Sequence, residues 1–487
     1  MTGTPDAVRA LVDRAARVYD GAPGPAAQVR AVRDRLAEPI RVAVAGKVKA
    51  GKSTLLNALL GERIAATDAG ECTMVTTWYR HGPAPSASLV LADGSREGLA
   101  LRRASGGPPF DLGGRQPGEV AWVEVTWPLP ILEQLTLIDT PGIGSLTREA
   151  SQRTLDLVRT EGGTAGVDAL VYLMRHRHAA DLELLHGFHA DTRTSALKDD
   201  AALNVIGVLS RADELGEQGI DAMLRAQELA DTYARDPEVR QLCRGVLPVA
   251  GLLAQGAQTM THDDFIAVLR FAELPKPRRD RLTLSASRFV GEDEPSLDAA
   301  ARAALLERLG LFGVRLGAAL VRMGFDTPAA LAEELTRRSG LPALQEALRA
   351  SYASSAELLK ARSALQALTR IVAAHPRAGS AELEEALDEA FGSAADLREL
   401  HLLARLRRDG LPGLPDADVE RAVRLLEWAA PGRAWTPRRR GETDPDLGAE
   451  LGAWRGVAND PLLPHGTRQA AETLGRLCER FMSAPSG

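Results

Sequence analysis

The stretch Gly46-Lys47-Val48-Lys49-Ala50-Gly51-Lys52-Ser53 fits the spacing G-x-x-x-x-G-K-[ST]. An apolar run at 41–45 precedes it and a helical pattern at 54–60 follows. Glycines at both ends of such a loop let successive backbone N–H groups turn inward around an anion, and the helix N-terminus behind them adds its dipole. The chemistry specified is the holding of nucleotide phosphates. Lys52 is expected to reach the β- and γ-phosphates and the Ser53 hydroxyl to ligate Mg²⁺, with Gly46, Lys47, Val48, Lys49, Ala50, Gly51 and Thr54 completing the cradle.

Asp139-Thr140-Pro141-Gly142 stands directly after a second apolar run at 135–138. Asp139 is expected to hold Mg²⁺ through a water, and the Gly142 N–H to meet the γ-phosphate. A threonine between the two motifs should cover the γ-phosphate and complete the metal shell. Of Thr67, Thr73, Thr76 and Thr77, we favour Thr73, because a β-like run begins just after it. The base-reading element belongs after the apolar run 204–209, where Ser210-Arg211-Ala212-Asp213 stands. A carboxylate at Asp213 can accept from guanine N1–H and from its N2 amino group, a donor pair that adenine lacks. The common form of this motif is [NT]-K-x-D. Arg211 can lay its stem and planar head along a base as Lys does, whereas Ser210 reaches less far than Asn. GTP and GDP are therefore the expected nucleotides. Ras-like enzymes place a water-orienting Gln immediately after D-x-x-G, but this chain has Ile143. Two readings of Lys49 stay open: a positive charge brought to the β–γ bridge, or a side chain pointing into solvent.

These residues need a scaffold that gathers the ends of several strands. The runs 41–45, 135–138, 169–174 and 204–209 are mostly apolar without alternation, the pattern of parallel strands buried on both faces. Segments 89–91 and 99–101, parted by Asp93-Gly94, read as a hairpin. Two amphipathic helices are expected ahead of residue 38, broken apart by Gly21, Pro23, Gly24 and Pro25. Beyond about residue 256 the strand signal fades. Leu305, Leu306, Leu309, Phe312, Leu316 and Leu320 form one helical stripe, Ser339-Gly340 ends a helix, and Pro342 opens the next. No Gly or further Pro interrupts 342–372, enough for a helix of ~45 Å. Residues 431–446 read as loop and 467–482 as a last helix. The expected fold is an α/β P-loop GTPase domain, a mostly parallel sheet flanked by helices, at 41–255, with all-α regions at 1–40 and 256–487.

At 487 residues the chain suggests roughly three structural units. A formal charge of −6 argues against a dedicated nucleic-acid binder, which needs a basic surface. Cys72, Cys243 and Cys478 are scattered, as in a reducing compartment, and the start carries no basic-then-apolar signal pattern. No run reaches the ~18 apolar residues of a membrane span, so a cytoplasmic protein is expected. His176, His178, His186 and His189 could ligate zinc beside Asp181, but without supporting cysteines they read as a polar loop and helix. Residues 309–321 read as a core helix packed through Gly313 and Gly317 rather than as a lipid-inserting element. Arg433, Arg438, Arg439 and Arg440 around Trp435 read as a solvated loop in preference to a lipid-headgroup contact.

Residues 46–61, Cys72-Thr73 with Thr77 and His81-Gly82, and Asp139 to Gly142 together resemble the bacterial dynamin-like GTPases. Lys52 and Asp139 lie 87 positions apart, far more than in a Ras-like domain, and the hairpin fills part of that gap. Ser210 to Glu214, 246–253 and 315–324 are most similar to the actinobacterial isoniazid-inducible members. The resemblance implies a GTPase head, a helical neck that includes residues 1–40, and a stalk within 256–487 whose tip touches anionic lipid. It also implies a peripheral position at the inner face of the cell membrane, where head dimerisation drives remodelling or fission. A second dynamin-like protein is a further implied partner, and nucleic acid is not. Eukaryotic members carry Gln and Ser where Val48 and Lys49 stand, so their hydrolysis mechanism does not transfer residue by residue. Two other readings fit: a slowly hydrolysing, nucleotide-binding scaffold for a larger dynamin-like protein, compatible with Ile143 and Ser210-Arg211, and a soluble regulatory GTPase.

Overall fold

The computed structural model describes residues 4–65, 75–91, 93–101, 115, 119–141, 167–178, 181–183, 185–186, 205–349, 356–393, 398–399, 402–403, 405–406, 410–429 and 444–483. Its strands are β1 (Ile40–Gly46), β2 (Thr77–His81), β3 (Ser86–Leu91), β4 (Arg96–Leu99), β5 (Val120–Trp127), β6 (Leu135–Asp139), β7 (Ala169–Met174), β8 (Val205–Ser210) and β9 (Gly245–Val249). They form a nine-stranded sheet in the order β4-β3-β5-β2-β6-β1-β7-β8-β9. From β6 to β9 every pairing is parallel, while β2 runs antiparallel to β6, and β3 pairs antiparallel with both β4 and β5. Strands β3 and β4 are the hairpin expected around Asp93-Gly94, and Gly94 turns it with φ +84°.

The unbroken apolar runs follow from burial on both faces. Val42, Val44, Leu137, Val171, Leu173, Ile206 and Val208 point to a core shared with the helices Lys52–Leu60 and Leu341–Leu348. Their alternates Ala43, Ala45, Ile138, Leu170, Tyr172 and Leu209 point to the opposite core, covered by the helices Ala222–Arg235 and Pro237–Leu242. With period two and both sides dry, no polar position remains for alternation to display.

The helices after β9 pack closely on one another. Gly256 lies against the Arg308 carbonyl, Gly313 against Leu253 and Gly317 against Val268, so the helix Ala299–Arg322 is a core element, as its glycines suggested. It breaks at Gly310 (φ +66°), a backbone state that L side chains resist. Ser339 closes one helix, and Gly340 at φ +80° turns into the next, where Pro342 sits in the first turn. Within 342–372 the described parts are helical at Leu341–Leu348 and Ala356–Ala374; residues 350–355 lie outside the described residues. The two helices have mostly different surroundings. Leu344 and Leu348 enter the sheet core, whereas Leu365, Leu368 and Val372 pack with the helices Thr4–Val18, Pro23–Ala37 and Ser380–Ser393. A further core unites Leu402, Leu403 and Leu406 with the helices Asp416–Ala429, Leu447–Ala458 and His465–Ser483. Among the described residues no helix is long and apolar enough to cross a membrane.

Candidate functional site

The P-loop leaves the C-terminal end of β1 between β6 and β7, the two strands paired with β1. A Cβ placed on Gly46 would lie 2.6 Å from the Leu173 carbonyl oxygen, so only glycine lets the loop start this close to β7. Lys49 (φ +63°) and Gly51 (φ +90°) take left-handed conformations, the alternation that turns N–H groups toward one side. Val48 and Lys49 are exposed at the loop tip. Ala50 is buried, and Lys52, Ser53 and Thr54 open the following helix. Lys52 Nζ donates to the carbonyls of Gly46 (3.2 Å) and Lys47 (3.4 Å), curling its ammonium over the loop. Lys47 extends to the buried Asp181, 3.0 Å away, whose other oxygen accepts from Tyr172 at 2.8 Å.

Asp139 ends β6 beside the loop. Its Oδ2 accepts from Ser53 Oγ at 3.4 Å, and its Oδ1 is buried without a partner among the described residues. Burial pushes this carboxyl up to about 6, against the pull of nearby Lys52, and burial likewise lowers the Lys52 ammonium. Thr140 turns inward and donates to the Val44 carbonyl at 2.9 Å, fixing β6 to β1 at this point. A carboxylate with one orphaned oxygen next to a hydroxyl is a hard-oxygen donor set, and it fits Mg²⁺. Thr73 and Gly142 lie outside the described residues, as does Thr67. Thr76 and Thr77 are buried at the start of β2.

On the other side of the loop an open cleft of about 650 Å³ is walled by Gly51, Thr54 and Leu55, by Ser210, Arg211 and Asp213, and by Gly251 and Leu252. Asp213 is 8% exposed, and among the described residues no other residue donates to its carboxylate. Burial raises it to about 6, with Glu214 adding and Arg211 opposing. The break at Gly310 abuts it: a Cβ there would be 3.8 Å from Asp213 Oδ2 and 3.4 Å from the Leu252 side chain. Arg211 (φ +53°) pairs with Glu214 at 2.7 Å while lining the cleft. Ser210 Oγ donates to the Met174 carbonyl at 3.3 Å, so its hydroxyl serves β7 rather than the phosphate loop.

The structure thus gathers residues 46–54, Asp139, Ser210, Arg211 and Asp213 around one loop. Sequence reasoning missed the third wall of the cleft, Val249 to Leu252, because β9 contains Pro248 and was not read as a strand. It also missed Asp181 as the partner of Lys47, since nothing in their spacing links them. Of the histidines considered for zinc, His186 sits 3.7 Å from Glu238, the His176 and His178 rings meet edge-on at 6.2 Å, and His189 lies outside the described residues.

A mostly parallel sheet with a glycine loop after its first strand, a carboxylate at the end of β6 and a second carboxylate at the far wall defines a P-loop GTPase. The family model described as "50S ribosome-binding GTPase" matches residues 41–200. The isoniazid-induced protein IniC of Mycobacterium tuberculosis is 40% identical over 491 residues, covering 99% of this chain and 98% of that protein. The isoniazid-induced protein IniA of the same organism is 39% identical over 140 residues, 26% of this chain and 21% of that protein. A bacterial dynamin-like protein of Nostoc punctiforme is 29% identical over 146 residues, 28% of this chain and 20% of that protein. The chain belongs to the family of bacterial dynamin-like GTPases that includes IniC.

Proposed function

We propose that this GTPase binds GTP with Mg²⁺ at the loop 46–53, reads guanine through Asp213, and couples hydrolysis to work on a membrane. The observation that carries the base assignment is the Asp213 carboxylate, buried in the cleft wall with no donor from another described residue. Guanine N1–H and N2–H₂ supply the two donors it lacks. Lys52 meets the β- and γ-phosphates with a charge that burial leaves poorly solvated, and the N–H groups from Lys49 to Ser53 line the same anion. Ser53 and Asp139 would hold Mg²⁺, which neutralises charge on the β- and γ-oxygens when bound. Thr73 and Gly142 take the γ-phosphate roles expected from their motifs. Lys49, exposed at the tip, is free to meet a nucleotide or a second head.

We further read residues 40–348 as the head, with its limit set by the packing of Leu341, Leu344 and Leu348 into the sheet core rather than by the end of the strand pattern at 255. The helices at 4–37 and 356–393 form the neck, and 398–483 the stalk. Membership of the dynamin-like family supports head dimerisation and peripheral contact with anionic lipid at the inner membrane face as part of this reading.

Lys52→Ala removes the phosphate cation and is expected to abolish nucleotide binding; turnover persisting in that variant would place the active site elsewhere. Flotation with phosphatidylglycerol vesicles, with and without a non-hydrolysable GTP analogue, tests the membrane reading. Protein that stays at the bottom of the gradient in both conditions sinks it.

A further inference from the structure

Seven large apolar side chains are exposed among the described residues, and three of them, Ile220 (63%), Leu284 (64%) and Met323 (68%), line a single groove. Exposed apolar residues scattered singly need no explanation, but a cluster marks a contact surface. The groove runs between the turn at Gly219-Ile220, the helix Lys276–Leu282 and the C-terminal end of the helix Ala299–Arg322. Arg315 holds the walls together, donating to the Gln218 carbonyl at 2.7 Å and also to that of Thr283. The surface is therefore built before anything binds, which lowers the ordering cost of association.

An open groove lined by three exposed large apolar side chains is a surface for a macromolecular segment rather than an enclosed ligand pocket. Its charge is opposite to that of the chain. Lys276, Arg279, Arg315 and Arg322 line it against one acid, Asp280, although the protein carries −6 overall. Lys276 and Arg322 are exposed, and neither has an acidic partner among the described residues. An apolar floor with a basic rim matches a helix that carries leucine-type residues on one face and carboxylates beside them. A second copy of this chain fits less well. Its acidic helix Ser380–Ser393 exposes Glu384, Glu385, Asp388 and Glu389, but Leu383 and Leu387 are buried in the chain's own core and cannot fill an apolar groove. A bilayer presents a broad surface, not a ridge that enters a concavity.

We propose that this groove docks an acidic amphipathic helix of a partner protein, with its apolar face on Ile220, Leu284 and Met323 and its carboxylates at Lys276 and Arg322. The proposal stands whether or not the nucleotide site turns over GTP.

The test uses the full chain and a fluorescent synthetic peptide of roughly 18 residues, five helical turns, with Leu at helical spacing and Glu elsewhere. Anisotropy titration should show binding of this peptide and none of the same peptide with Lys in place of Glu. Lys276→Glu with Arg322→Glu, and separately Ile220→Asp with Met323→Asp, should each weaken binding at least about tenfold, roughly the effect of 1.4 kcal/mol. All four positions are surface residues outside the nucleotide site, so unchanged thermal unfolding and nucleotide binding report an intact fold. Three results would overturn the proposal. The two peptides could bind equally, or the acidic peptide could bind both double variants as it binds the wild type. Alternatively, the charge variant could lose phosphatidylglycerol vesicle binding or self-association in sedimentation while the wild type ignores the acidic peptide.

Discussion

Asp213→Asn isolates base recognition, because it exchanges one oxygen for an amide nitrogen at a buried site and leaves the side chain's shape intact. A hydrogen bond to a charged group contributes about 1.5–3 kcal/mol, so the two that guanine donates amount to roughly 3–6 kcal/mol. Asn keeps one acceptor and turns a donor toward the guanine amino group. The expected loss is about 3–4 kcal/mol, or ~100- to 1000-fold in GTP affinity. Xanthine replaces that amino group with a carbonyl, so Asn can accept from N1–H and donate to O2; xanthosine triphosphate should regain most of the lost affinity.

The free protein supplies an independent readout of the same carboxylate. Burial holds Asp213 at about 6 instead of its ordinary 3.8, and at about 1.4 kcal/mol per pH unit this costs the fold on the order of 3 kcal/mol at neutral pH. The sign follows from the raised value. Below about pH 4 the group is protonated in both states and the penalty is absent; the penalty grows as pH climbs and is complete above about 6. The nucleotide-free Asn variant should therefore melt higher than the wild type at pH 7, with the gap closing toward pH 4. Wild-type GTP affinity should fall more steeply below about pH 6 than the variant's, which retains only the contribution of Asp139. Fluorescent-nucleotide titration and thermal unfolding without nucleotide measure both. GTP binding unchanged by the substitution, or loss of GTP without gain of xanthosine triphosphate, would refute the base assignment.

Gly46→Ala forces a Cβ to within 2.6 Å of the Leu173 carbonyl oxygen, so the loop must shift. Nucleotide affinity should drop at least about tenfold while circular dichroism remains that of the wild type. Asp168→Ala strips the buried Arg35 guanidinium of the carboxylate it donates to. Removing one partner of a buried pair typically costs about 3–5 kcal/mol, and replacing both by apolar residues restores much of it. Denaturant unfolding of Asp168→Ala and of the double variant with Arg35→Met separates these effects.

The parts of this fold that could be read from sequence are those whose determinants are local. A central parallel strand needs apolar residues on both faces, and β1, β6, β7 and β8 display such runs openly. The P-loop is legible because its glycines, lysine and serine act within eight consecutive positions. Strand β5 was overlooked for the opposite reason. Val123 and Val125 enter one core while Trp122, Glu124 and Thr126 are only half-buried, so β5 alternates and a search for unbroken apolar runs passes over it. Strand β9, at the edge, tolerates a Pro that argues against a strand in most contexts. Lys47–Asp181 and Arg35–Asp168 join positions 134 and 133 residues apart, and no spacing rule reaches that far. The run 342–372 carries a continuous helical pattern, but what its two described helices pack against is decided by tertiary neighbours: Leu348 fits the sheet core and Leu365 the N-terminal helices.

The buried pair at Asp168 also fixes how the N-terminal helices are mounted. The Asp168 carboxylate accepts from the Arg41 N–H at 2.7 Å as well as from Arg35, at the start of β1. Arg35 donates to the Pro39 carbonyl at 2.9 Å, so the exit from the helix Pro23–Ala37 is held on both sides. Lys360, buried in the helix Ala356–Ala374, caps the same exit by donating to the carbonyls of Leu36 (2.9 Å) and Glu38 (3.1 Å). Shifting the helix Ala356–Ala374 against the helix Pro23–Ala37 would leave the carbonyls of Leu36 and Glu38 without this donor, each costing about 1–3 kcal/mol, while the Lys360 ammonium would keep only Glu357 of its own helix, 2.6 Å away. Sliding them together along the sheet is dearer still, since Asp168 would have to release Arg35. These helices are therefore one mechanical piece, bolted to the first residues of β1. The same strand carries the phosphate loop at its other end, only ~20 Å away at strand rise. A displacement of the loop along β1 would reach that mounting through an unbroken strand that is buried except at the half-buried Arg41, without crossing a loop.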